Sequence, residues 1–192
     1  MRIAGLALAA LALPACAARD LRPAERLDPE TAINVTIMAE PWVYARPVPM
    51  LAANARDYLN VGVVETNRAG SRAYWLAVVS WSTIDRSPLP ADRAPARPQR
   101  IQLDWKEGNL QLSPAADGRA AVGLSEPALT GPAESFAEAW YALSAADVAR
   151  LGRAAPASVS LVGEGGRLTT YDAWQVNPAV MPEFLRATGL SP

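Results

Sequence analysis

Residues 73–84 constrain the fold more than any other stretch. One face of this run carries Tyr74, Leu76, Val78, Ser80, Ser82 and Ile84, and the other carries Trp75, Val79, Trp81 and Thr83. The period of two is strand spacing. Over the first half both faces are apolar, so the strand belongs at the centre of a sheet, covered on both sides. Residues 58–66 precede it, with Leu59, Val61 and Val63 on one face. Between the two lies Asn67-Arg68-Ala69-Gly70-Ser71-Arg72, which is turn chemistry. These two strands make a hairpin.

The rest of the chain repeats that theme in shorter pieces. Ile33, Val35 and Ile37 alternate with polar neighbours, Pro41 interrupts, and Trp42-Val43-Tyr44 resumes as a second short strand. Residues 51–56 have the composition of a helical turn. Residues 85–99 hold Pro88, Pro90, Pro95 and Pro98 among charges, which excludes a central strand or helix and predicts an exposed loop. A second hairpin spans 100–105 and 109–113, with Gly108 in a three-residue loop. A short strand is expected near 120–124 and a longer one over 136–143. Ser144 with Asp147 three residues on is a capping box opening a helix over 145–154, ended by Pro156. Residues 159–162 and 168–174 form a third hairpin across Gly163-Glu164-Gly165-Gly166. Asn177-Pro178 signals a last helix, which Pro182 delays and Gly189 ends.

These pieces contain no strand–helix–strand alternation, so a parallel sheet is not expected. The fold class predicted is mainly β: an antiparallel β-sandwich or half-open barrel of six to nine strands built of hairpins, with two short helices.

Composition narrows the chemistry. The chain has no histidine and one cysteine, Cys16. A histidine general base, a Ser-His-Asp triad and a zinc site of the usual kind are therefore excluded. The net charge is −1 and Lys106 is the only lysine, with no basic stripe, so nucleic acid is not an expected partner. Gly163-Glu164-Gly165-Gly166 lacks the order and following helix of a nucleotide loop. No cofactor is implied.

The N-terminus gives an address. Met1-Arg2 is a minimal basic start, and residues 3–13 are apolar or small. That run is too short to span a bilayer, which takes roughly twenty residues, but suits the core of a signal peptide. It ends in Leu13-Pro14-Ala15-Cys16, which resembles the lipobox of bacterial lipoproteins. The resemblance covers these sixteen residues only. It implies cleavage before Cys16, acylation of Cys16 and attachment to a membrane through that lipid. Several acyl chains on one residue hold for long times. Ala17, where an aspartate would favour inner-membrane retention, points to the periplasmic leaflet of a Gram-negative outer membrane. The organisation expected is a signal peptide over 1–15, a lipidated N-terminus and tether over 16–30 reaching about 40–50 Å, and one β-rich domain over 31–192. The thiol of Cys16, once acylated, is lost to nucleophilic chemistry.

Candidate binding residues are the aromatics. Six tryptophans are expected mostly on inward faces, filling the core. Trp42 with Tyr44, beside Pro41, is the pair expected at the surface, and Trp81 at the end of the central strand is the third candidate. Asp104, Glu107, Asp172 and Glu183 are the carboxylates weighed for a hydrolase acting on cell-wall glycan, which would need two of them converging across a cleft. Lys106, in a predicted turn, is unsuited to a serine–lysine pair. The sequence therefore predicts a non-enzymatic, lipid-anchored envelope protein acting as a binding or assembly module in the periplasm, with an envelope protein or a glycolipid as its partner. The alternative is a carrier of a small apolar ligand or glycolipid in an aromatic-lined cleft.

Overall fold

A computed structural model describes residues 20–84, 99–132 and 137–191. Residues 1–19, which hold the expected signal peptide and Cys16, and the proline-rich residues 85–98 lie outside the described residues. The described chain is an antiparallel sheet of ten strands, curled into a half-barrel, with three helices.

The sheet is organised on the predicted hairpin. Strand β4 (Arg56–Arg68) and β5 (Ser71–Ser82) pair along their whole length. On the far edge of β5 lies β8 (Ala137–Leu143). The opposite edge of β4 serves two partners in turn. Its C-terminal half pairs with β2 (Asn34–Ile37), and its N-terminal half with β3 (Trp42–Pro47). Pro41 stands at the break between them, where a residue without an N–H cannot continue a ladder. The sheet divides there. β2 carries on to a short edge strand, β1 (Ala24–Leu27), which falls inside the stretch read as tether. β3 carries on through β10 (Leu168–Gln175), β9 (Ser158–Val162), β6 (Arg100–Trp105) and β7 (Gly108–Leu112). Beyond β7 the chain returns to β8: Pro114 bridges Tyr141, and the Ala115 N–H donates to the Trp140 carbonyl at 2.7 Å. The two ends of the curl meet at this point.

Two cores lie on opposite faces of the central strands. The concave face buries Trp42, Tyr44, Leu59, Val61, Leu76, Val78 and Tyr141 against two helices. These are α2 (Ala145–Arg153), contributing Val148 and Leu151, and α3 (Val180–Thr188), contributing Met181, Phe184 and Leu185. The convex face buries Ile37, Val64, Ala77, Val79 and Trp140 under Val122, Leu124 and Leu129. Leu76 and Val78 thus face one core and Ala77 and Val79 the other, as the two apolar faces of residues 73–84 require.

Local expectations mostly hold. Ser144 Oγ accepts from the Asp147 N–H while Asp147 accepts from the Ser144 N–H, the predicted capping box. Pro182 does not delay α3, which starts at Val180; the proline sits in the first turn, where its missing N–H would have had no intrahelical partner. Three further details differ. Residues 119–122 form a short helix, α1 (Arg119–Val122), where a strand was expected; Gly123 ends it with a left-handed backbone. Residues 51–56 form no helix: the Val48 N–H bonds to the Ala55 carbonyl, closing the loop between β3 and β4. Gly108 opens β7 opposite Trp105 at φ +131°, which leaves a two-residue loop at Lys106-Glu107.

The start of the domain is tied down as well. Leu21 packs against the inner core. Asp28 is fully buried and accepts from the Thr31 N–H and hydroxyl and from the Ser125 N–H and hydroxyl, at 2.8–3.1 Å. Desolvation pushes its carboxyl up, but these donors outweigh it and hold the group well below the usual carboxylate range. Asp28 therefore joins the N-terminal segment to the cover over the convex core.

Candidate ligand-binding face

The convex face of β4 changes character along its length. The side chains that point outward are Thr66, Val64, Gly62, Asn60, Tyr58 and Arg56 in turn, because alternate residues of a strand share a face. Leu129 covers the middle of this row. A Cβ built on Gly62 would stand 2.8 Å from Leu129 Cδ2, so the absence of a side chain there is what lets the cover settle. Beyond Gly62 the row goes on as Asn60, still buried, and then Tyr58 and Arg56, which are half-buried.

Two tryptophans flank Tyr58. Trp81 pairs with it across the β4–β5 ladder, with ring centroids 4.2 Å apart and planes at 9°. On the other side Ala45 of β3 is the neighbour, and its small side chain leaves room for the next strand's Trp174. Trp174 meets Tyr58 edge-on at 6.3 Å and 78°, an arrangement favoured by the ring quadrupoles. The register between β10 and β3 shifts at Trp174, between the Ala173–Tyr44 and Gln175–Val43 pairs. Such a bulge re-aims a side chain. Trp174 is 56% exposed, with the Arg56 guanidinium 4.8 Å from its ring centre.

These side chains border a cleft of about 430 Å³. Val43, Tyr58, Asn60, Trp81, Trp174 and Gln175 line it from the sheet, and Thr130, Gly131 and Pro132 wall it where the cover stops. A second hollow of about 270 Å³ shares Val43 and Gln175 and extends the cleft toward Glu40, Pro41 and Asn177. Asn60 Oδ1 accepts from Trp81 Nε1–H at 3.1 Å, which fixes both side chains. What Asn60 then has to offer a ligand is its donor amide group.

The three aromatic candidates fare differently. Trp81 is half-buried and part of this face. Trp42 and Tyr44 are not at the surface, at 1% and 0% exposure. Their partners in β4 are Val61 and Leu59, which face the inner core, and strand register carries the pair inward with them. Their polar ends are satisfied there: Trp42 Nε1 donates to the Asn177 carbonyl at 2.9 Å, and the Tyr44 hydroxyl to the Pro156 carbonyl at 3.1 Å. Burial pushes the Tyr44 phenol well above its ordinary pKa.

Tyr58 and Trp174 were missed, although a signal for each was present. Tyr58 has the opposite parity to Leu59, Val61 and Val63. Trp174 has the opposite parity to Tyr171, which is buried. The four carboxylates stand on separate elements, and none lines either cleft: Asp104 on β6, Glu107 in the turn after it, Asp172 on β10 and Glu183 on α3. Asp104 accepts from Gln102 at 2.7 Å, and Glu183 pairs with Arg186. Among the described residues, no group of three or more Asp, Glu, Cys or His is placed to hold a metal ion. Compared with protein-family models, with curated proteins and with solved structures, the chain finds no match.

Proposed function

We propose that this protein is a lipid-anchored, non-enzymatic binding module of the bacterial cell envelope, held through Cys16 at the periplasmic leaflet of the outer membrane. Its ligand sits on the face formed by Tyr58, Trp81 and Trp174. The observation that carries the binding role is the placement of these three rings. Both cores have ample apolar cover, yet this cluster lies outside both, braced by a bulge and by the Asn60 hydrogen bond. Rigid aromatic side chains held at a surface, with an arginine beside them, have the composition of binding hot spots. The anchor rests on Leu13-Pro14-Ala15-Cys16, and the lack of any histidine favours binding over catalysis.

Retention of envelope components on the immobilised protein tests the binding role. The wild type is expected to hold a component that Trp174→Ala releases. Equal retention by both, or none by either, overturns it. Mass spectrometry of the N-terminal peptide from the native host tests the anchor: an acylated Cys16 is expected, and a free thiol there contradicts it.

A further inference from the structure

Resting on that reading of the face as a binding site, we infer that its ligand is an oligosaccharide. The lining of the main cleft has a specific chemistry. Among the described residues it presents three aromatic rings, the carboxamides of Asn60 and Gln175 and the Thr130 hydroxyl, with the Arg56 guanidinium at its border beside the Trp174 ring. A purely apolar ligand would leave the Gln175 carboxamide, the Asn60 amide N–H groups and the Thr130 hydroxyl facing it without partners, which costs free energy for each group desolvated. A sugar ring suits both halves. Its C–H face packs on the electron-rich face of an aromatic ring, and its hydroxyls exchange hydrogen bonds with carboxamides and a threonine hydroxyl.

The dimensions point the same way. A cleft of about 430 Å³ falls within the usual range for small ligands, ~300–1,000 Å³. The second hollow joins it at Val43 and Gln175 and adds about 270 Å³ along the same edge. Two hollows sharing these residues suit a chain of sugar units better than a single one. Trp174, the most exposed ring, lines the first hollow next to Gln175, which both hollows share.

The test uses the full protein, purified from membranes in a detergent without a sugar headgroup. Tryptophan emission is followed during titration with two neutral probes, a hexamer of N-acetylglucosamine and a hexamer of glucose, both β-1,4-linked. At least one is expected to shift the emission saturably, with a dissociation constant at or below about 1 mM. Trp174→Ala, which removes an exposed ring, is expected to weaken binding about tenfold or more, and so is Gln175→Ala. Trp105→Phe, outside the cleft, leaves affinity unchanged. Calorimetry replaces emission for the variants that lose a fluorophore.

Absence of binding by both hexamers to folded wild-type protein overturns the saccharide inference. So does binding that Trp174→Ala and Gln175→Ala leave intact. If neither sugar binds but an envelope protein or lipid is retained in a Trp174-dependent way, the ligand class is wrong and the binding face stands. If nothing is retained at all, both readings fail together.

Discussion

Six tryptophans in one small domain divide by position, and the division decides what each can do. Trp42 and Trp140 are fully buried, Trp75, Trp81 and Trp105 are half-buried, and Trp174 is exposed. Trp42 and Trp174 make the sharpest pair, because they lie near each other in the sheet on opposite faces of it. Trp42→Ala empties space in the inner core and leaves the Asn177 carbonyl unpaired, so it is expected to cost about 3–5 kcal/mol in chemical unfolding. Trp174→Ala loses an edge contact and a cation–π contact at the surface, and is expected to cost less than about 1 kcal/mol. Equal losses in the two variants would mean that the exposed ring is structural. The burial of Trp42 was open to misreading because Pro41 sits beside it, and a proline next to a short strand suggests an edge. The decisive fact is its pairing with Val61, a contact that residue types around position 42 do not encode.

At the scale of elements, alternation and capping were legible and long-range register was not. Residues 73–84 announced a central strand through two apolar faces, and Ser144 with Asp147 announced α2 through the capping box. Strand β1 gave no such signal: Ala24-Glu25-Arg26-Leu27 has no apolar face, and it is held by pairing with β2 and by Arg26 reaching Glu126 at 2.8 Å. The segment 119–122 is too short for either periodicity to develop. The aromatic face depends on three strands meeting, with β10 brought beside β3 from the far end of the chain and bulged at Trp174. Parity could place each ring on the outer face, but only register could bring the three together. The boundary of that face is set by one contact, Leu129 on Gly62. Gly62→Val adds a branched side chain where the first atom alone is already 2.8 Å from Leu129. The variant is expected to lose about 1–3 kcal/mol and to speed amide exchange at Leu124 and Leu129. Unchanged exchange there would show that the cover does not depend on the glycine.

At the scale of the whole molecule, the N-terminal segment belongs to the domain more than expected. With Leu21 already packed against the core, the five residues from Cys16 to Leu21 can span at most about 17 Å, well under half the reach of a tether ending at residue 30. A lipid on Cys16 would hold the domain close to the bilayer surface. Asp28 fixes this arrangement, and its titration gives the segment a pH dependence. Its folded pKa is depressed, so its contribution is fully present above the unfolded value of ~3.9 and is lost as pH falls through the lower folded value. Asp28→Asn is expected to lower the melting temperature at pH 7. Below about pH 4 the wild type should lose stability faster than the variant, and the two curves converge. Parallel curves down to pH 3 would show that Asp28 is not the group responsible.

The central claim is that the uncovered aromatic face is where this protein meets its ligand. A photoreactive residue placed at position 174 in intact cells of the native host tests it most directly. Leu168, also exposed but at the other end of β10, serves as the comparison site. The prediction is a discrete cross-linked product from position 174, absent from position 168 and competed by excess unlabelled protein. No product from position 174, or the same products from both positions, would contradict it.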